Sequence, residues 1–143
     1  MKEAEAKRLA EEELKSSKER LEAAELLFKN NMIIDSISRA YYSMFHAARA
    51  LLFLYGEEPK THEGTIREFS RIITEEKIID KKFGRDLRQV FEARESSDYR
   101  IGVIFDIEDA KEVLDKSKEF VKKVTEVSVK IIKERFKLFL QKN

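Results

Sequence analysis

The sequence predicts an all-α fold, an antiparallel up-and-down bundle of about five helices with a long last one. Three observations lead there. Charged residues make up 40% of the chain and hydrophobic ones 42%, a mixture typical of long helices with salt-bridged outer faces. Four Gly and one Pro punctuate all 143 residues, too few for the turns that a β protein needs. Apolar positions recur at helical spacing in most segments. The length fits a single domain over 1–143, large enough to bury one core.

The first helix runs from about Glu3 to Lys29, with Ala6, Leu14, Leu21, Ala24, Leu27 and Phe28 as its apolar positions. Asn30-Asn31 interrupts it, since Asn tolerates the left-handed conformation that ends helices. A second helix runs from about Ile33 to Tyr55 and is stopped by Gly56. After the loop Glu57-Glu58-Pro59-Lys60, Thr61 offers an N-cap for a third helix carrying Ile66, Phe69, Ile72 and Ile73. Ile78 and Ile79 turn the chain into a fourth helix, from about Asp80 to Ser97. Periodicity is lost between Asp98 and Phe105, where Gly102 falls. Asp106 then caps a final helix whose first turn holds Glu108 and Asp109, where acids favour the helix dipole. Val113, Leu114, Phe120, Val121, Val124, Val127, Ile131 and Phe139 form its apolar face. Unbroken, that helix is about 57 Å long at 1.5 Å per residue, with a surplus that can pack on a second subunit.

Composition excludes several classes. With no Cys, disulfides, thiolate zinc sites and a cysteine nucleophile are ruled out, in keeping with a cytoplasmic location. No apolar run approaches the roughly 20 residues that span a membrane. The start, Met1-Lys2-Glu3-Ala4-Glu5, is too polar and acidic for a signal peptide. Basic and acidic side chains nearly balance, 29 against 28, so only a local patch can recognise nucleic acid. Lys130, Lys133, Arg135, Lys137 and Lys142 bias the last turns toward positive charge; as a terminal run this is first a solvated face.

Two constellations can carry chemistry. On the second helix, Ile37, Ala40, Tyr41, Met44, Phe45, Ala47, Ala48, Leu51 and Leu52 fill a wide apolar arc. Asp35, Arg39, Tyr42, His46 and Arg49 fall opposite, within roughly 80° at 100° per residue. A neutral His46 among arginines can act as a general base, and guanidiniums can stabilise a phosphorane. The plainer reading of the stripe is a hydrogen-bonded helix interface, possible between two copies of the chain because Tyr and Arg are enriched at interfaces. On the fourth helix, Leu87, Val90, Phe91 and Arg94 lie at i, i+3, i+4 and i+7, so Arg94 continues an apolar stripe. A charge there requires a partner, and Asp98 stands one turn on. Arg94 is then either a lock that ends the helix or a bidentate phosphate ligand at a cleft.

Other motifs are absent. His62-Glu63 lacks a second His at metalloprotease spacing, and two His cannot make a three-imidazole zinc site. No Glu-x-x-His pair exists for a di-iron bundle, and no glycine loop for a nucleotide. No metal or cofactor is therefore expected. His62 is expected at the surface, in the first turn of the third helix, where the loop it adjoins can border a site.

With Ser38-Arg39-Ala40-Tyr41-Tyr42 leading into Met44-Phe45-His46-Ala47-Ala48-Arg49-Ala50-Leu51-Leu52, the chain resembles the small stand-alone HEPN proteins of bacteria and archaea. Lys60-Thr61-His62-Glu63-Gly64, Arg94-Glu95-Ser96-Ser97-Asp98-Tyr99 and Asp109-Ala110 extend the likeness along nearly the whole chain. The resemblance implies a helical bundle that dimerises and is often encoded beside a minimal nucleotidyltransferase. Several such proteins are metal-independent ribonucleases of toxin–antitoxin or defence systems. Their site is an Arg-x4–6-His motif brought together across the dimer, where the 2′-hydroxyl of RNA attacks its own phosphate. Arg94 matches the motif's Arg, but the following residues through Ile101 contain no His. Arg39 and His46 have the permitted spacing, on a different helix from the motif.

The expected function is thus a nucleotide- or RNA-binding homodimer that works with a nucleotidyltransferase partner. Arg94, Asp98 and Tyr99 would form its catalytic cleft, and Arg39, Tyr42, His46 and Arg49 a second cleft for ligand or dimer contacts. Ribonuclease activity is uncertain on this reading, because the motif is incomplete. The alternative is a non-catalytic helical dimer or scaffold.

Overall fold

Helices α1 (Glu3–Lys29), α2 (Ile33–Leu54), α3 (His62–Glu76), α4 (Lys82–Tyr99) and α5 (Ile107–Lys142) make up the fold, with no strand among the described residues. The computed structural model describes residues 2–99 and 104–142, with side chains as far as Arg135. Gly102 and the side chains of Lys137, Phe139 and Lys142 lie outside the described part. No described helix is long and apolar enough to cross a membrane.

The ends of the helices follow from local chemistry. Asn31 (φ 59°) and Lys77 (φ 53°) take the left-handed conformation just past α1 and α3, and Gly56 (φ 78°) does so after α2. The Thr61 hydroxyl accepts from the Gly64 amide at 2.9 Å and so caps α3. A Cβ at position 64 would stand 2.9 Å from that same oxygen, so the glycine keeps the cap in place. Asp80 accepts from the Lys82 amide at 2.8 Å, which moves the start of α4 two residues beyond the expected boundary. Asp106 and Asp109 exchange side chain-to-amide hydrogen bonds, both 2.9 Å, in a reciprocal cap of α5.

Helix α2 is the axis of the molecule and touches all four others. Ile37, Ala40, Tyr41, Met44, Ala47, Ala48 and Leu51 on it are fully buried. They meet Phe69 and Ile73 of α3, Leu87 and Val90 of α4, and Phe120 and Val124 of α5 in one core. A side chain the size of Leu51, fully buried, contributes about 1.5–3 kcal/mol.

Buried serines fix how the helices are aligned. Ser17 donates to the Ser43 carbonyl at 2.6 Å, and Ser36 donates to the Ala24 carbonyl at 2.9 Å. As one number rises the other falls, so α1 and α2 run antiparallel. Lys116 reaches Gln89 at 2.7 Å and Lys82 pairs with Glu119, making α4 and α5 antiparallel as well. Ser117 donates to the Ala40 carbonyl at 3.2 Å and Arg135 to the Leu54 carbonyl. Helix α5 therefore advances along α2 in the same direction, and α1 lies antiparallel to both.

Candidate functional site

The polar stripe of α2 is not left in water. Tyr42, His46 and Arg49 follow one another by helical turns, and α1, α3 and the loop before α3 close over them until all three are only partly exposed. The α1–α2 alignment places Glu13 opposite His46, whose Nδ1 is 2.6 Å from a Glu13 carboxylate oxygen. Arg49 Nε contacts the other oxygen at 3.4 Å and its terminal nitrogen donates to the Pro59 carbonyl at 3.0 Å. Its guanidinium also lies over the Phe45 and Phe53 rings at 5.6 and 5.1 Å.

The Thr61 cap starts α3 so that its first residue, His62, enters the same space. Its Nδ1 is 2.6 Å from the buried Tyr41 hydroxyl. Its ring stacks on Phe45 at 4.6 Å between centroids and faces Phe91 at 6.2 Å. From α4, the Arg94 guanidinium stands 5.3 Å from the Tyr42 ring, 6.0 Å from Tyr41 and 5.8 Å from Tyr99. Tyr42 is the common wall: His62 lies 5.9 Å and His46 6.5 Å from its ring. Four helices thus deliver two imidazoles, two guanidiniums and three carboxylates, Glu13, Glu95 and Asp98, to one aromatic-lined patch.

Charge and burial tune these groups. Burial pushes the Glu13 carboxyl up, but the hydrogen bond and charge of His46, together with Arg49, outweigh it and hold it below its ordinary value. Burial, then the Arg94 charge, keep His62 below the usual imidazole range. Burial and the adjacent Tyr42 raise the Tyr41 phenol far above its ordinary value, with Arg94 opposing. Tyr41 therefore remains a phenol at any working pH.

Arg94 is held by two carboxylates. Its Nε is 3.0 Å from Asp98 and a terminal nitrogen is 3.3 Å from Glu95. The Arg94–Asp98 pair read from the sequence is present, although the buried Nε faces Asp98 without an aligned hydrogen bond. The Arg94 side chain is 14% exposed, against 42% for Glu95. A contact with so exposed a carboxylate is worth about 0–1 kcal/mol, less than the roughly 1.5–3 kcal/mol of a hydrogen bond to a charged group.

The structure unites the two constellations that the sequence kept apart, since Tyr42, His46 and Arg49 share one patch with Arg94, Asp98 and Tyr99. Arg39 and Asp35 stay exposed. His62 corrects the sequence reading. Expected at the surface of the first turn of α3, it stands there but is only partly exposed, packed on Tyr41, Phe45 and Phe91 where α2 and α4 converge on the start of α3. Glu13 was not singled out from the sequence. The signal that could have found His62 is the hydroxyl of Tyr41 on the apolar arc of α2, which needs a partner when buried; Glu13 could have been found as the partner that His46 and Arg49 require.

A groove of about 440 Å³ lies elsewhere, lined by Glu3, Ala4, Arg8, Leu54, Ile132 and Arg135 among others. Leu54 is roughly three turns along α2 from Tyr42, so this concavity is separate from the patch. Among the described residues, no group of three or more His, Asp or Glu is placed to hold a metal ion.

Known proteins share this arrangement of sequence. A "UPF0332 protein" of Pyrococcus horikoshii is 46% identical over 77 residues, which are 54% of either chain. A Methanocaldococcus jannaschii protein named "Putative toxin" is 37% identical over 58% of this chain and 62% of its own. In both, the matched part is less than two thirds of the relative's length. A "UPF0332 protein" of Thermotoga maritima is 30% identical over 73% of this chain and 80% of its own. Residues 10–127 match the HEPN domain, a span that takes in most of α1, all of α2 to α4, the patch around Tyr42 and more than half of α5. The chain belongs to the HEPN domain family.

Proposed function

We propose that the chain is the toxin-like component of a two-component system and binds the phosphate of a nucleotide or RNA strand at the patch around Tyr42. The observation that carries this reading is Arg94: a largely buried guanidinium set on three tyrosine rings, one of which it shares with two histidines. A phosphate oxygen exchanges with the exposed Glu95, while Asp98 keeps the guanidinium aimed. The aromatic walls, Tyr42 and Tyr99, offer faces on which a base can stack. Relatives whose names call them toxins favour a toxin role. In that role the protein acts as a homodimer, with a nucleotidyltransferase as its partner.

One feature favours the competing reading. Arg94, Glu95 and Asp98 together carry net negative charge, which suits a lock that ends α4 better than an anion site. Binding of a short single-stranded RNA at low salt, followed by fluorescence anisotropy, decides between them. The phosphate reading expects Arg94→Ala to weaken binding at least tenfold and Arg94→Lys to restore only part, because Lys lacks the bidentate fork. An Arg94→Ala protein that folds normally and binds RNA like wild type makes the patch a structural lock. Light scattering on the wild-type protein tests the homodimer.

A further inference from the structure

Away from the patch around Tyr42, the turn from α3 into α4 opens a hollow of about 870 Å³ that runs into a second of about 480 Å³. The two share Lys81 and Arg85 and form one trough. Its bottom lies where α3 and α4 close on each other: a Cβ added to Gly84 would stand 2.6 Å from Ser70 Oγ. Six cations line it, Lys77, Lys81, Lys82, Arg85, Arg88 and Lys123, against two carboxylates, Asp80 and Glu119. In a chain with 29 bases and 28 acids, this is a local excess. Lys82 pairs with Glu119, Glu63 holds Arg88 at 2.8 Å, and Asp80 caps α4. Lys77, Lys81, Arg85 and Lys123 are exposed and have no carboxylate partner among the described residues. Lys77 stands at φ 53°, a conformation that glycine would take with less strain.

The floor of the trough is apolar. Ile73, Ile79 and Phe83 are buried there and Ile78 is half-buried. This distinguishes the trough from a seat for nucleic acid, whose bases need exposed ring faces on which to stack. The ring that lines it, Phe83, is 6% exposed, with the Lys82 ammonium 5.0 Å from its centre. A strand bound at Arg94 does not lead here either. Arg85 and Arg94 are nine residues apart, which sets them on opposite sides of α4 and about 13 Å apart along it. Beyond Arg88, the side of α4 that faces the trough continues as Glu92 and Glu95, which repel a polyanion.

We propose that the trough docks an acidic, partly apolar segment of a partner protein. Carboxylates of the segment pair with Lys77, Lys81, Arg85 and Lys123 along the rim, and an apolar side chain settles on Ile78 between them. Arg94 takes no part, so the docking surface stands apart from the phosphate reading. The docked segment itself leaves the patch around Tyr42 uncovered.

The test titrates the isotope-labelled full chain at low salt with a synthetic peptide about ten residues long, a pair of Leu set among Glu and Asp. NMR follows the amide shifts and the Kd. Shifts should concentrate at Thr74, at Lys77 to Arg85 and at Lys123. The combined Lys81→Glu and Arg85→Glu variant should bind at least about tenfold more weakly, with its melting temperature little changed because both side chains are exposed. A peptide with Gln and Asn for its acids should lose as much, and one with Ser for its Leu pair about fivefold. No shift at these amides at about 1 mM peptide overturns the proposal, as does a Ser-for-Leu peptide that binds as tightly. Oligouridylate that binds the trough more tightly than the peptide makes it a seat for RNA and overturns it too. Arg94→Ala should leave the peptide Kd unchanged; a parallel loss there would mean that trough and patch are one site, against the proposal. RNA that fails to bind at Arg94 removes the phosphate reading and leaves the trough standing.

Discussion

The two faces of α2 obey different rules. On one, Ile37, Ala40, Met44, Ala48 and Leu51 are buried completely, and their requirement is volume and shape. On the other, Tyr42, His46 and Arg49 are covered only in part, and each depends on a partner supplied by another element. The apolar face would be satisfied by many sequences of similar volume. The polar face works with few, because Glu13, Pro59, His62 and Arg94 must all arrive at set positions. Stability resides mainly in the first face and chemical specificity in the second.

The largest effect that can break this division is on the apolar side. Leu51→Ala should cost about 3 kcal/mol and lower Tm by roughly 10 °C for a domain of this size. RNA affinity at a temperature where the variant stays folded should not change. If affinity falls in step with stability, the two faces are one unit and the division fails. Next comes Glu13→Ala, which removes one carboxylate from both His46 and Arg49. It should cost about 1 kcal/mol in chemical denaturation, less than Leu51→Ala, because both partners retain some contact with water.

A pH series sharpens the contrast further. His62 and Glu13 both have lowered values in the fold, so each disfavours proton uptake relative to the unfolded chain. Stability due to each is complete above its unfolded value and is lost as pH falls through the folded one. The His62 contribution should therefore begin to fade below about pH 6.5, and that of Glu13 below about pH 4.5, their ordinary values. Thermal melts of His62→Gln should lose the upper part of this dependence and keep the lower. A flat profile between pH 7 and pH 5 in wild type would contradict the burial of His62. The smallest effect belongs to the outer surface: Arg8→Ala breaks an exposed pair with Glu12 and should change Tm by less than about 2 °C.

Much of the apolar face was legible because its requirement is periodic. The spacing from Ile37 to Leu52 marks a buried helix face without reference to any other segment, and Thr61 and Asp106 announce their helices through local capping chemistry. Arg94 was legible too, as a charge on an apolar stripe with Asp98 one turn away. His62 was not. Its neighbours in sequence are polar, and its cover comes from Phe45 and Phe91, residues 17 and 29 positions away. Glu13 was hidden for a related reason: it sits in the run Glu11-Glu12-Glu13, where only the alignment of α1 against α2 singles it out. Local pattern identified the groups that the fold must bury, and long-range registration selected those that meet.

The serine hydroxyls between α1 and α2 act as pegs in a ratchet. Ser17 and Ser36 each engage one carbonyl of the opposite helix, so a slide by a single turn would leave two buried hydroxyls idle. Insertion and deletion scanning would expose this. One residue added between Glu13 and Ser17 would swing the carboxylate about 100° around the helix and disconnect it from His46, with both serine bonds left intact while the buried Ala6 and Ala10 turn with it. Four added there would return it to nearly the same side, but one turn too far along. On this scaffold the spacing along α1 matters as much as residue type in deciding which groups of the patch meet.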